Sequence, residues 1–107
     1  MIRLLIFLKR RDGLAADAFE SHLRRTHLPL VRRLPGIQKV AAHRLVPGPD
    51  GIAPAWDFLA EDWFESVEAL AAALQSPEGQ AVNANAATFV DLTKLQFLVL
   101  DEQENNA

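Results

Sequence analysis

A chain of 107 residues with 50% hydrophobic and 23% charged residues has the composition of one globular domain. It holds no cysteine, which excludes disulfides, a thiol nucleophile and thiolate zinc sites and favours a cytoplasmic location. The formal net charge of −3 argues against a nucleic-acid partner, and no apolar stretch approaches the roughly 18 residues that cross a membrane.

Charge is distributed unevenly along the chain. The first 50 residues carry ten basic and four acidic side chains, whereas the remainder carries one basic and ten acidic side chains. In a small domain the two halves are expected to interleave and neutralise each other. The alternative is a basic patch for an anionic ligand, built from Arg24-Arg25 and Arg32-Arg33.

The first predicted elements are a strand and a helix. Residues 3–9 are nearly all apolar and precede a turn at Asp12-Gly13, which predicts a strand buried on both faces. From Leu14 onwards, Phe19, Leu23 and His27 recur at helical spacing with polar side chains between them. The spacing predicts an amphipathic helix that runs to a break at Pro29.

His27 is the candidate functional residue of this helix, because it lies on the apolar face with Leu23 and Leu34. Pro29 disfavours helix at the residue before it, so the backbone is expected to change direction near Leu28 and to restart with Pro29. The kink either provides a small-molecule site or leaves His27 as a core residue bonded to the backbone. His22, five residues away, is not expected to share its face, so no metal site is predicted.

Two further strands are predicted in the middle of the chain, over residues 37–46 and 56–64. Alternation in the second of these places Phe58, Ala60, Asp62 and Phe64 on one face and Asp57, Leu59, Glu61 and Trp63 on the other. Asp62 would therefore lie among apolar neighbours, where desolvation raises a carboxyl pKa. An ion pair with an arginine is the alternative for Asp62.

The last third of the chain predicts two helices and a strand. Ser66 and Ser76-Pro77 have the residue types of helix starts, and Asn83 and Asn85 are expected to end the second helix before Phe89. The inward face of the first helix is predicted as Val67, Leu70, Ala71 and Leu74. Residues 95–100 predict a fourth apolar strand, and residues 102–107 a frayed tail.

The resulting order is β-α-β-β-α-β, which predicts a single α+β domain over residues 1–107 with a ferredoxin-like antiparallel sheet and helices on one face. Because the first and last strands are apolar on both sides, the uncovered face would be a large apolar patch in a monomer. We therefore expect a homodimer in which the two sheets pack together.

Four segments resemble proteins of the EthD family, in the dimeric α+β barrel superfamily. They are Leu8-Lys9-Arg10-Arg11, His27-Leu28-Pro29-Leu30 with Pro35-Gly36 after it, Ala60-Glu61-Asp62-Trp63-Phe64-Glu65-Ser66, and Ser76-Pro77-Glu78-Gly79-Gln80-Ala81. The resemblance implies a dimeric barrel with a cleft between helices and sheet in each subunit, and a part in small-molecule catabolism such as ethyl tert-butyl ether degradation. Relatives in the wider superfamily include cofactor-free monooxygenases, muconolactone isomerases and haem-degrading enzymes.

The resemblance also suggests site residues. His27 matches the histidine of the family's His-x-Pro-Leu pattern and is predicted to transfer a proton, with Asp62 as its charged companion. The remaining predicted ligand-binding residues are Phe19, Leu23, His43 and Trp63. The chain has no tyrosine, whereas several enzymes of the superfamily place one near their substrate, and it has Asp62 where the family pattern is apolar.

The predicted function is that of a cofactor-independent isomerase, lyase or monooxygenase acting on a small hydrophobic carbonyl or aromatic compound. Neither a metal nor a cofactor is predicted. One alternative is a non-catalytic ligand-binding or accessory protein of an oxidative degradation pathway, and another is a dimer whose cleft is filled by side chains.

Overall fold

Four strands and four α-helices make up the fold in this computed structural model, which describes residues 1–102. The strands are β1 (Ile2–Leu8), β2 (Lys39–Arg44), β3 (Phe58–Phe64) and β4 (Gln96–Asp101). They pair in the order β2-β3-β1-β4, and every pairing is antiparallel. The predicted α+β, ferredoxin-like fold is confirmed, and each strand overlaps its predicted range.

The helices are α1 (Ala16–His22), α2 (Leu28–Val31), α3 (Val67–Gln75) and α4 (Pro77–Phe89). A π-helical turn, Leu23–His27, joins α1 to α2, and a short 3₁₀ turn, Leu92–Lys94, precedes β4. Both predicted serine caps are confirmed, because the Ser66 and Ser76 hydroxyls each accept a backbone N–H at 3.1 Å.

The break that the sequence predicted at Pro29 does not occur. The backbone stays right-handed helical through His27 and Leu28, and the Leu28 N–H donates to Leu23 O, five residues back. This wide turn shifts the hydrogen-bond ladder just before Pro29, which has no N–H to donate and clashes with the carbonyl of a regular α-helix. Pro29 then occupies the first turn of α2, as predicted.

Two helix predictions were wrong in detail. α4 continues to Phe89, which is 2% exposed and packs 5.0 Å from the Phe19 ring, measured between centroids. Burying such a ring is worth about 2 kcal/mol, more than the few tenths that an asparagine costs a helix. On α3 the predicted inward face was Val67, Leu70, Ala71 and Leu74, but the buried residues are Leu70 and Ala73.

The strand register divides the sheet into a face covered by helices and an open face. Leu4 pairs with Asp62 in β3 and with Val99 in β4, so all three point to the helix side. The alternation predicted for β3 is confirmed. The open face carries Arg3, Leu5, Phe7, Lys39, Ala41, His43, Leu59, Glu61, Trp63, Gln96, Leu98 and Leu100.

Ion pairs join the basic first half of the chain to the acidic second half. Arg3 lies 3.8 Å from Glu61, and the Lys9 ammonium lies 3.7 Å from Asp57. These pairs show that the two halves of the chain interleave in the fold. In the predicted tail, Glu102 accepts a 2.7 Å hydrogen bond from Trp63 Nε1, and residues 103–107 lie outside the described residues.

Candidate functional site

A cavity of about 620 Å³ lies between the helices and the covered face of the sheet. Its walls come from β1, β3 and β4 on one side and from the π turn, α2, α3 and α4 on the other. The polar lining residues are His27, Asp62 and Asn83, and the apolar ones are Leu4, Ile6, Leu8, Leu28, Val31, Leu34, Ala60, Leu70, Leu74, Val82, Ala86, Leu92, Leu95, Phe97 and Val99. The volume is in the range of small-molecule sites.

His27 lines this cavity and is 7% exposed. Its Nδ1 lies 3.0 Å from the side-chain oxygen of Asn85, and its ring lies 5.0 Å from Phe89 between centroids. Burial lowers the pKa of the His27 imidazole, and the hydrogen bond to Asn85 opposes that shift in part. His27 is therefore a neutral imidazole near pH 7, with a side-chain rather than a backbone partner.

His22 lies beside His27, which the sequence did not predict. Its Nε2 is 3.0 Å from the same Asn85 oxygen, and its ring is 4.4 Å from Phe89 between centroids. In a regular α-helix two residues five apart differ by about 140° around the axis. The π turn Leu23–His27 removes much of that difference, so the expectation that the two histidines occupy different faces was wrong.

Asp62 lines the same cavity from β3 and is 4% exposed. Its Oδ1 has no hydrogen-bond partner among residues 1–102, and burial raises the pKa of the carboxyl to about 7. The alternative of an arginine partner was wrong, because Arg3 lies on the opposite face with Glu61 and Glu102. Asp62 therefore brings an unpaired carboxyl group into an apolar enclosure.

The cavity thus holds two titratable side chains whose environments favour their neutral forms. Among the described residues, no hydrogen bond or ion pair joins His27 to Asp62. A neutral imidazole has one nitrogen that can accept a proton, and a neutral carboxyl group can donate one. The pair can serve as a proton acceptor and a proton donor toward a molecule lying between them.

The other four predicted ligand-binding residues do not line this cavity. Phe19 and Leu23, 1% and 0% exposed, are packed into the core with Phe58 and Phe89. His43 and Trp63 are on the open face of the sheet, where Trp63 lies under Arg3 and Lys39. Helical spacing placed Phe19 and Leu23 inside without saying which neighbours they meet, and strand alternation sends Trp63 away from Asp62. Ligand contact by these four residues stays a prediction, and this cavity does not provide it.

Sequence reasoning missed Asn85, which had been considered only as a residue that weakens α4. An asparagine inside a helix is disfavoured locally, and that cost is the signal that could have singled it out. Reasoning from the sequence also missed the contribution of β4, whose Phe97 and Val99 line the cavity while remaining about half exposed.

Two searches of residues 1–102 bear on other kinds of site. No cluster of three or more histidine, aspartate or glutamate side chains there has the geometry to hold a metal ion. None of the helices in this part of the chain combines the length and the apolar character needed to cross a membrane.

Comparison with known proteins identifies relatives of this chain. A family profile described as the EthD domain matches residues 11–93. An uncharacterized 11.0 kDa protein in the thcB–thcC intergenic region of Rhodococcus erythropolis is 38% identical over 72 residues, or 67% of this chain and 69% of that protein.

Two solved structures show the same fold. An ethyl tert-butyl ether degradation (EthD) family protein from Bacillus halodurans superposes with a TM-score of 0.84 and 26% identity, covering 96% of this chain and 99% of that one. SnoaB, a cofactor-independent oxygenase from Streptomyces nogalater, superposes with a TM-score of 0.68 and 15% identity, covering 98% and 95%.

Proposed function

This chain belongs to the EthD family, and on that premise we propose that its cavity binds and transforms a small hydrophobic carbonyl or aromatic compound. The observation that carries the proposal is the lining of the cavity, which is apolar apart from His27, Asp62 and the amide of Asn83. An apolar enclosure selects a hydrophobic molecule, and a few polar groups orient it.

The proposed reaction begins with proton abstraction by His27. A carbon next to a carbonyl group releases a proton to His27 Nε2, the bonding electrons move onto the carbonyl oxygen, and an enolate forms. The neutral state favoured by burial supports this role, since an imidazolium could not accept the proton.

Asp62 is proposed to stabilise the charge that develops on the substrate oxygen. A carboxyl group with a pKa of about 7 is substantially protonated at neutral pH and can donate a hydrogen bond to that oxygen. In a substrate that carries a carbon–carbon double bond next to the deprotonated carbon, the enolate is a dienolate. Return of the proton from His27 to the far carbon of that dienolate shifts the double bond and completes an isomerisation. This assignment replaces the charged companion that the sequence suggested with a neutral proton donor.

A monooxygenase reaction could begin at the same site. A deprotonated, electron-rich aromatic ring can react with dioxygen without a cofactor, and a protein of this fold, SnoaB, is described as a cofactor-independent oxygenase. The likeness to SnoaB concerns the fold alone, so this version rests on the apolar cavity and the histidine.

The second candidate is a non-catalytic ligand-binding or accessory protein of an oxidative degradation pathway, such as the ether degradation from which the EthD family is named. The apolar lining of the cavity supports this candidate as well, because holding a hydrophobic ligand requires no proton transfer. In that case the same cavity holds its ligand unchanged.

The open face of the sheet supports a homodimer. Leu98 is 50% exposed there and lies beside Leu5 and Leu100 of the same face. Contiguous apolar surface of this kind is rarely left to water, and a self-complementary contact covers it in both copies. Solved structures of similar fold that are described as dimeric support the same assembly.

The experiment that separates the candidates uses β-tetralone, a bicyclic ketone with acidic hydrogens beside its carbonyl group. Binding is followed by calorimetry, and proton abstraction by exchange of those hydrogens in deuterium oxide, observed by nuclear magnetic resonance. The enzyme proposal predicts exchange that His27→Gln slows by at least about 100-fold. His43→Gln, on the open face, is the matched control and should exchange like the wild type.

Each outcome of this experiment selects one candidate. Binding without exchange identifies the carrier, whereas exchange that survives His27→Gln removes His27 from the reaction. Absence of both binding and exchange across a small panel of cyclic ketones and phenols would contradict the assignment of the cavity as a ligand site.

A further inference from the structure

The side-chain oxygen of Asn85 lies within hydrogen-bond distance of both His22 and His27. Asn85 Oδ1 lies 3.0 Å from His22 Nε2 and 3.0 Å from His27 Nδ1. A carbonyl oxygen has two lone pairs and accepts two hydrogen bonds, but it donates none. Both of these ring nitrogens must therefore carry hydrogen when the two imidazoles are neutral.

We propose that Asn85 is a positioning residue that fixes His27 as its Nδ1–H tautomer, so that Nε2 is left as the proton acceptor of the cavity, and that His22 holds the Asn85 amide in this orientation. The inference rests on the function proposed above and adds the residues that prepare its base. Nothing in residues 1–102 hydrogen-bonds to His27 Nε2, which leaves that nitrogen available for a ligand.

The local fold explains why this arrangement forms. The π turn brings His22 and His27 to one side of the chain, and α4 packs against that turn and presents Asn85 to both rings. Phe89, one helical turn after Asn85, lies under the two imidazoles at centroid distances of 4.4 and 5.0 Å. π turns are frequent at functional sites, where the extra residue redirects a side chain.

His22 has a part that differs from that of His27. An asparagine amide can rotate by half a turn and exchange its oxygen for its NH₂ group, which would present a donor to His27. A second N–H donor at the oxygen opposes that rotation. Replacing His22 should therefore weaken the preference of His27 for its Nδ1–H tautomer. His22 itself does not line the cavity.

The first test is spectroscopic and needs no substrate. Ring nitrogen chemical shifts distinguish a protonated from an unprotonated imidazole nitrogen, and the chain holds only three histidines. Single variants His22→Gln, His27→Gln and His43→Gln assign the signals. At about pH 8.5, above the ordinary histidine pKa, the wild type is expected to show His27 as Nδ1–H and His22 as Nε2–H. Nε2–H as the main tautomer of His27 in the wild type would overturn the inference.

The second test uses variants of Asn85. Asn85→Leu removes the acceptor and should convert His27 to a mixture of tautomers, whereas Asn85→Asp keeps an acceptor and should retain the Nδ1–H form. Gln80→Leu removes an exposed amide from the same helix and is the matched control. His22→Leu should give a partial change in the same direction as Asn85→Leu.

Exchange kinetics with β-tetralone then connect the tautomer to the reaction. Asn85→Leu is expected to lower the rate constant at saturation by about tenfold or more with a smaller change in affinity, and Asn85→Asp should restore it. An unchanged His27 tautomer in Asn85→Leu would refute the positioning role. If the tautomer changes but no protein exchanges any ketone, the positioning of His27 stands and the proposed catalytic function fails.

Discussion

Asp62 and Trp63 are neighbours in β3 that face opposite sides of the sheet. Asp62 brings an unpaired carboxyl group into the cavity, whereas Trp63 lies on the open face and donates a hydrogen bond to Glu102 at 2.7 Å. A substitution on one face therefore replaces no side chain of the other face. The cavity and the proposed dimer surface can be tested separately, and each of the following predictions concerns one of them.

Asp62→Asn should make the protein more stable than the wild type at alkaline pH. The pKa of Asp62 is about 7 in the folded protein against an ordinary value of 3.8, so the folded state binds the proton more tightly than the unfolded state. The wild type should lose stability as pH rises from about 4 through about 7, by up to roughly 4 kcal/mol. Asp62→Asn should lack this loss.

Urea unfolding across that pH interval measures the difference. Glu65→Gln changes an exposed carboxyl group and is the control, since it should follow the wild type. If the free energy of unfolding of Asp62→Asn and of the wild type had the same pH dependence, the charged form of Asp62 would have to be stabilised by a charged partner or by water.

Proton exchange from β-tetralone should have a bell-shaped pH dependence. Burial lowers the pKa of His27 below its ordinary 6.5, and the base is lost only as pH falls through that lowered value. The acid is lost as pH rises through the pKa of Asp62, about 7. The rate should therefore be highest between these two pKa values, in contrast to the rise toward high pH shown by hydroxide-catalysed exchange.

The Asp62→Asn variant identifies the alkaline limb of this profile. Its exchange rate should still fall at acidic pH, where His27 is protonated, but should no longer fall near pH 7 through ionisation of Asp62. Its maximum rate should be lower than that of the wild type. An alkaline limb that persists unchanged in Asp62→Asn would assign it to another group.

Filling the cavity from α4 should abolish ligand binding. Ala86 lines the cavity, and Ala86→Trp places an indole in the space that the ligand requires. We expect at least about a tenfold loss of affinity for β-tetralone, since even one misplaced methylene costs a pocket about 1–3 kcal/mol. Ala87→Trp, on the exposed side of the same helix, should bind normally. Equal affinity in the two variants would place the ligand elsewhere.

A charge on the open face should prevent dimerisation. Leu98 is half exposed on that face, and Leu98→Glu would place a carboxylate in a desolvated contact in both copies of a dimer. The variant is expected to sediment as a monomer at concentrations where the wild type is a dimer. Val46→Glu alters an exposed residue outside the four strands and should leave the assembly unchanged. A monomeric wild type would contradict the sheet-to-sheet dimer.

The sequence alone determined the order of the elements and much of their orientation. Serine caps at Ser66 and Ser76, alternation in β3 and helical spacing up to His27 depend on interactions between residues a few positions apart. Such patterns can be recognised in a linear sequence because the backbone geometry of helices and strands repeats with a fixed period. They predicted the ferredoxin-like fold and the inward orientation of His27 and Asp62.

Tertiary structure decided which side chains meet. His22 and Asn85 are 63 positions apart in the chain, and their contact depends on a π turn and on the packing of α4 against that turn. The same limit explains the corrections: spacing placed Phe19 in the interior, but only the packing of Phe58 and Phe89 decided that it belongs to the core rather than to the cavity wall. Periodicity reports whether a residue is buried, whereas its partner is set by contacts distant in sequence, which leave no periodic signal.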